Sequence, residues 1–259
     1  RWACKNDKLE IAKWLLFVKP DINISTDDEY AFRWVCYEGN LEVAQWLLKI
    51  KPAIDISIDN EIAFRWACDH NHLEVAKWLL SVKPDIDISV KNEDIFQIVC
   101  RKGYIKIAKW LLSVKLDIDI SIKNEEIFRY TCIEGQLEVA QWLLSIKPNI
   151  NISAENDDAF SYACMNNYLE VAQWLFSIKP DICISIKDKK IFKEVCSDGY
   201  LEIAKWILYI KYDIDISVEE REEEKENAFE LACTNEHLEV AKWLLEIKPD
   251  IDISEDNNE

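Results

Sequence analysis

Apolar positions in this chain recur in blocks. The clearest block is Leu73-Glu74-Val75-Ala76-Lys77-Trp78-Leu79-Leu80, which occurs eight times with small edits. Its tryptophan falls at Trp14, Trp46, Trp78, Trp110, Trp142, Trp174, Trp206 and Trp243, spaced by 32 residues except for a last step of 37. A fixed period of roughly 20–50 residues marks a repeat array, in which each unit buries its apolar surface against its neighbours.

Within one repeat the spacing predicts two helices and a returning loop. Tyr30 to Glu38 reads as a first helix, with Phe32, Val35 and Cys36 at i, i+3 and i+4 on one face. Gly39 ends it, as a residue able to take positive φ does. Asp7, Asn71, Asn167 and Glu236 hold that position in other repeats, Glu236 as a misfit costing about 1–2 kcal/mol. Leu41 to Ile50 reads as the second helix. Its stripe of Leu41, Ala44 and Leu48 is widened by Val43, Leu47 and Ile50, as burial on two sides requires. Glu42 and Lys51 suit the two ends of the helix dipole, and Pro52 cannot continue the helix. Ile54-Asp55-Ile56-Ser57 then alternates apolar and polar, the pattern of a short extended segment, before a polar tip at Asp59-Asn60-Glu61.

The period divides residues 1–259 into a single array of about eight units: a partial first unit at 1–29, then 30–61, 62–93, 94–125, 126–157, 158–189, 190–226 and 227–259. The unit at 190–226 carries a five-residue insertion around Glu219 to Glu226, in a loop tip, where arrays absorb insertions. The sequence opens at Arg1-Trp2-Ala3-Cys4, already inside a first helix, and its last helix is as apolar as the internal ones. A segment of a longer array is the expectation from both features.

Composition narrows the function classes. Hydrophobic residues make up 49 % and aromatics 11 %, enough for a packed core. The formal charge of −18, without a basic tract, repels a phosphate backbone, so nucleic acid is not expected as a partner. No apolar run reaches the roughly 18–20 residues of a membrane span. Eight of the nine cysteines, from Cys4 to Cys233, keep the tryptophan period. Helices stacked about 8–10 Å apart hold such cysteines beyond the roughly 7 Å Cα separation a disulfide needs. They read as one small buried thiol per repeat, in a reducing, cytoplasmic compartment.

Few residues suggest chemistry. With four glycines and three histidines, the chain offers neither a phosphate-cradling loop nor a catalytic set, so no enzyme activity, cofactor or small-molecule substrate is expected. Cys68, His70 and His72 match no common zinc spacing. Asn23-Ile24-Ser25 and Asn151-Ile152-Ser153 are formal glycosylation sequons, but Asp87 and Asp119 at the equivalent position make Asp–Asn drift the simpler account. Cys183 is the one thiol off the ladder, and the acidic run at Glu219 to Glu226 reads as a solvated loop or a dock for a basic partner.

Variation between repeats singles out one face. Two residues before each ladder cysteine stand Trp2, Trp34, Trp66, Ile98, Tyr130, Tyr162, Glu194 and Leu231, and Arg33, Arg65 and Arg129 adjoin several of the aromatics. That is the composition of interface hot spots, and equally of rings packed between successive first helices. The pair after each cysteine varies more: Tyr37-Glu38, Asp69-His70, Arg101-Lys102, Ile133-Glu134 and Met165-Asn166. Tyr37, Ile133 and Met165 are the apolar members of these pairs. The candidate partner-binding set is Arg33, Trp34, Tyr37, Arg65, Trp66, Asp69, Arg101, Tyr130, Ile133, Tyr162 and Met165. Drift on a tolerant surface accounts for the variation about as well.

Gly39-Asn40-Leu41-Glu42-Val43-Ala44-Gln45-Trp46-Leu47-Leu48 resembles the ankyrin repeat, whose equivalent segment runs G-H-L-E-V-V-K-L-L-L, and the resemblance covers the whole chain. Asn71-His72-Leu73-Glu74-Val75 is similar. The family's T-P-L-H opening is replaced by segments such as Tyr30-Ala31-Phe32-Arg33, and its usual period is one residue longer. The wording of these repeats also looks like arrays encoded by giant amoeba-infecting viruses, which implies a host-cell interior. The resemblance implies an all-α repeat solenoid of helix-turn-helix units with extended, hairpin-like loops. It implies a non-enzymatic scaffold that binds a protein through its concave helix face and loop tips. Matched to the family, the pairs after the cysteines face that concave surface, where Tyr37, Ile133 and Met165 are expected as exposed apolar groups, and such a patch usually marks a partner. The alternatives are a self-associating structural module, a redox protein using its thiols, and the substrate-recruiting part of a larger protein.

Overall fold

The computed structural model describes residues 2–88, 95–180, 182, 187–210, 227–249 and 251, without the side chains of residues 26, 28 and 187–189. Cys183 and the Glu219 to Glu226 run lie outside the described residues. The chain divides into two compact parts, Arg1–Asp119 and Ile120–Glu259. The first part holds α1 (Trp2–Lys5), α2 (Leu9–Val18), α3 (Thr26–Tyr37), α4 (Leu41–Ile50), α5 (Ile58–Asp69), α6 (Leu73–Val82), α7 (Ile95–Arg101) and α8 (Ile105–Val114). The second holds α9 (Ile122–Ile133), α10 (Leu137–Ile146), α11 (Ala154–Met165), α12 (Leu169–Ile178), α13 (Lys187–Ser197), α14 (Leu201–Ile210), α15 (Ala228–Thr234) and α16 (Leu238–Ile247). Among the described residues every regular element is a helix.

In each part the odd-numbered helices stack on one another: α1, α3, α5 and α7 in the first, α9, α11, α13 and α15 in the second. Each also packs on the even-numbered helix that follows it. The stacking face is the one the period predicts. Phe32, Val35 and Cys36 of α3 are fully buried, as are Phe64, Ala67 and Cys68 of α5, and Phe128 and Cys132 of α9. Cys233 departs from the ladder and is exposed, because no described helix stacks beyond α15.

The turn between paired helices follows from local backbone chemistry. Gly39 takes φ +80°, its N–H bonds to the Cys36 carbonyl, and the Asn40 N–H bonds to the Val35 carbonyl. This double bond closes the helix end. Asp7, Asn71, Asn167 and Glu236 adopt positive φ at the same place. Gly39 also lies beneath the next repeat: an added Cβ would come within 2.2 Å of the His72 ring. Gly135 has the same relation to Tyr168, and Gly199 to His237.

The second helices are buried along an arc one residue away from the expected stripe. Val43, Ala44 and Leu47 of α4 are sealed, whereas Leu41 and Leu48 are half-buried and Ile50, at the helix end beside Lys51, is 37 % exposed. The tryptophans from Trp46 to Trp243 are half-buried rather than interior, and Trp14 is exposed.

Among the described residues the returning loops carry no strand. Ile54 and Ile56 are buried on either side of exposed Asp55, so the alternation is real, but the segment turns instead of extending. Three of the polar tips are described as left-handed turns. Asp59, Asn60 and Glu61 all take positive φ, and so do Lys123, Asn124 and Glu125, and Glu155, Asn156 and Asp157. Left-handed residues with a Cβ cost roughly 1–2 kcal/mol each, so these turns need tertiary anchors. Arg33 is one: its Nη1 donates to Asp59 Oδ2 at 3.2 Å and its Nη2 to the Asp27 carbonyl at 3.0 Å. Lys147 provides another in the second part by donating to the Ser121 hydroxyl, which itself donates to Glu125 Oε2 at 2.8 Å. α15 starts differently, with a capping box in which the Asn227 side chain accepts from the Phe229 and Glu230 N–H groups and Glu230 accepts from the Asn227 N–H.

Candidate partner-binding face

In the first part, α3 and α5 bring the predicted aromatics together. Trp34 stacks between Tyr30 at 5.6 Å and Tyr37 at 4.8 Å, centroid to centroid. Trp66 meets Trp34 and Tyr37 edge-on, at 6.4 and 5.6 Å. His70, one turn after Trp66, lies 3.9 Å from the Tyr37 ring and bonds through Nδ1 to the Trp66 carbonyl at 3.0 Å. A stacked cluster of this kind adds about 0.5–1.5 kcal/mol per ring pair beyond burial and holds the rings in fixed orientations. The rings remain half-buried, so each still presents an edge or face to solvent. Tyr37, expected as a freely exposed group, is held within the cluster.

Polar groups frame these rings. Lys5 places its ammonium 4.1 Å above the Trp34 ring, and the Trp34 indole N–H donates to Glu38 Oε1 at 2.9 Å. The Arg33 guanidinium lies 6.0 Å from the Trp66 ring centre. Its side chain is 13 % exposed and committed to the Asp59 turn, so it acts as a structural clamp beside the cluster. Asp69 pairs with Lys102 at 2.6 Å. Arg65, Trp66, Asp69, Ile95 and Ile98 line a small cleft next to the cluster, and Arg101 is half-buried on α7.

In the second part, Tyr130 and Ile133 of α9 and Met165 of α11 are half-buried, while Tyr162 is 44 % exposed. Ile133 and Met165, like Tyr37, are thus less open than expected, because stacked first helices cover one side of each. Arg129, at the position of Arg33 in the period, also donates into the next repeat, to Asp158 Oδ2 at 3.2 Å, one residue past the left-handed tip.

The variable pair after each cysteine has a structural member that the sequence did not disclose. In three repeats its second residue donates to the main-chain carbonyl of the first residue of the preceding pair. Lys102 Nζ does so to Asp69 at 3.0 Å, Asn166 Nδ2 to Ile133 at 3.0 Å, and Asn235 Nδ2 to Ser197 at 2.9 Å. Lys5, Glu38, His70 and Lys102 therefore join the face without having been singled out as binding residues. The 32-residue period already pointed to them, since each lies one or two places after a ladder cysteine.

Two titratable types on or near this surface are shifted by burial. Desolvation lowers the pKa of His72 below the usual imidazole value, against a hydrogen bond to the Tyr37 main chain that opposes the shift. Desolvation pushes the thiols of Cys36, Cys68, Cys132 and Cys196 well above the usual range, which removes thiolate reactivity. Among the described residues, no group of three or more His, Cys, Asp or Glu side chains is placed to hold a metal ion. Also among them, no helix is long and apolar enough to cross a membrane.

A tandem stack of short helix pairs, with a variable face along its first helices, defines a helical repeat protein. A family model for ankyrin repeats (three copies) matches residues 1–92 and 95–188, more than half of the chain, and the chain belongs to that family. The ankyrin repeat domain of human ASB11, known from its crystal structure, shares the fold with a TM-score of 0.55 over 82 % of this chain and 96 % of its own. The two are 15 % identical in sequence. No curated protein matches this sequence.

Proposed function

We propose that this chain, built of repeats that generally serve as protein–protein interaction modules, is a non-enzymatic scaffold that engages a protein partner through the face of its first helices and the adjoining tips. The observation that carries this reading is the Trp34–Tyr37–Trp66–His70 cluster, an ordered aromatic surface framed by Lys5, Glu38, Asp69 and Lys102. Aromatics held in place lose little entropy on binding, and they dominate the energetics of measured interfaces. In the second part Tyr130, Ile133, Tyr162 and Met165 supply the corresponding contacts. The repeat wording similar to giant-virus arrays and the free ladder thiols support a reducing host-cell interior as the site of action. The charge of −18 favours a partner that is not nucleic acid.

The test compares affinity capture by the native chain and by a Trp34→Ala, Trp66→Ala, Tyr130→Ala variant whose helicity is checked by circular dichroism. A protein retained by the first and lost by the second supports the assignment of this face. Equal retention by a helical variant contradicts it. A second reading, self-association, is favoured by the exposed apolar residues Ile11, Trp14, Phe17 and Val18 on α2. Sedimentation over a range of concentrations decides it, because a strict monomer excludes it.

A further inference from the structure

Glu61 ends the left-handed turn that opens α5, and it is buried without a full set of partners. It is 8 % exposed, and its Oε2 is sealed from solvent with no hydrogen bond. The charged groups that face it are Lys83, just after α6, and the carboxylates of Asp55, Asp85 and Asp87. Lys83 is shared, since its Nζ lies 2.9 Å from Asp85 Oδ1. Among the equivalent positions in other repeats, Glu93 keeps the same three aspartates in sequence, at Asp87, Asp117 and Asp119, while others are less acidic. Counted by the period, Glu29 has Asn23 and Ala53 where Glu61 has Asp55 and Asp85, and Asp157 has Asn151 where Glu61 has Asp55.

An ionised carboxylate in this setting has lost hydration and faces three like charges against one shared ammonium, so the neutral form gains. Burial is the largest cause holding the Glu61 carboxyl above the usual carboxylate range; Lys83 opposes it and the three aspartates reinforce it. The turn is also coupled to the aromatic face. Asp59, two residues earlier, accepts from Arg33, which is bonded to the Asp27 carbonyl and lies beside the Trp66 ring.

We propose that Glu61 is a proton-sensitive latch: proton uptake by its buried carboxyl tightens the turn at residues 58–61 and, through the Asp59–Arg33 pair, steadies the α3–α5 aromatic cluster. The latch itself stands apart from partner binding; its consequence for binding rests on the face proposed above. Between the unfolded and folded pKa of such a group the folded chain binds more protons. Stability therefore rises as pH falls through the folded value, and the gain is complete below the unfolded value.

The test uses the full chain. The side-chain carboxyl of Glu61 is followed by carbon NMR from pH 8 to pH 3, beside the exposed Glu74 and Glu239 as internal references. Unfolding midpoints of the native chain and of Glu61→Gln are measured at pH 7.5 and 5.5. The expected results are a Glu61 titration displaced to higher pH than both references, and a midpoint gain on acidification that is a few degrees larger in the native chain than in Glu61→Gln. His72 and the overall negative charge contribute to both proteins, so the difference isolates Glu61. Titration of Glu61 together with the references, or an undiminished pH response in Glu61→Gln, overturns the proposal. If the variant fails to fold, the titration of the native chain decides alone. Neither readout involves a partner, so a failure here is distinguishable from a failure of the binding face.

Discussion

Phe32 and Trp78 meet across the boundary between two repeats, with ring centroids 6.2 Å apart and planes inclined at 54°. The same step joins Phe64 to Trp110, Phe128 to Trp174, Phe160 to Trp206 and Phe192 to Trp243, at 6.1 to 6.4 Å. Each phenylalanine is a first-helix residue, and each tryptophan belongs to the second helix of the following repeat. At Trp78, Trp110, Trp174, Trp206 and Trp243 the tryptophan ladder is therefore a set of inter-repeat contacts, in keeping with its strict period. Trp14 makes no such step among the described residues and is 60 % exposed.

Trp78→Ala removes one of these contacts and leaves a hole over Phe32. The expected loss is about 3 kcal/mol, the lower end for a tryptophan truncation because the ring is half-buried. Trp14→Ala is expected to change stability by no more than about 0.5 kcal/mol. Denaturant unfolding followed by far-ultraviolet circular dichroism compares the two, and equal costs would show that the step is not what holds the ladder.

Gly39 answers to two constraints at once, a positive φ and the His72 ring packed against its Cα. Gly39→Ala is expected to cost about 1–2 kcal/mol from backbone strain alone, with a further loss as His72 is displaced. Glu236→Gly relieves the same strain at the last turn and is expected to raise stability by about 1 kcal/mol. Unfolding midpoints of both variants check the pair of signs.

His72 is held below the usual imidazole pKa by burial. For a histidine with a depressed folded pKa, stability is present above the unfolded value and is lost as pH falls through it, because the unfolded chain then binds more protons. His72→Tyr places there the residue found at Tyr104, Tyr168 and Tyr200. It is expected to match the native chain at pH 8 and to exceed it near pH 5, as read from midpoints across that range.

The ladder thiols are buried except Cys233; burial raises the pKa of Cys36, Cys68, Cys132 and Cys196, and that of exposed Cys233 is raised by desolvation and by Glu230. In a Cys183→Ser background, native-state labelling with a maleimide is expected to modify Cys233 quickly and Cys36, Cys68, Cys132 and Cys196 only on unfolding. Peptide mass mapping reads this directly; early labelling of Cys68 would contradict the packing of α3 on α5.

Much of this architecture is legible in the sequence because one period repeats one solution. The bounds of α4 follow from Gly39 before it and Pro52 after it, and the buried Phe32, Val35 and Cys36 follow from helical spacing. The left-handed tip at Asp59-Asn60-Glu61 does not, since no glycine or proline marks it and its anchor, Arg33, lies one repeat away. Arg33 beside Trp34 has the composition of a binding hot spot and of an intramolecular clamp alike, and only the position of Asp59 distinguishes the two. The Phe32–Trp78 step is hidden for a similar reason: periodicity shows which residues recur, but not which partner each meets in the next repeat.

The central claim is that the first-helix face is where a protein partner sits, and site-specific photo-crosslinking tests it most directly. A photoreactive residue is placed at Tyr37 or Tyr162, on that face, and in separate chains at Lys77 or Lys242, on the outer surface of α6 and α16. Each folded variant is irradiated in a cell extract. A common crosslinked protein is expected from the first pair and not from the second. The same protein crosslinked only from Lys77 or Lys242 would place the partner on the second helices and contradict it.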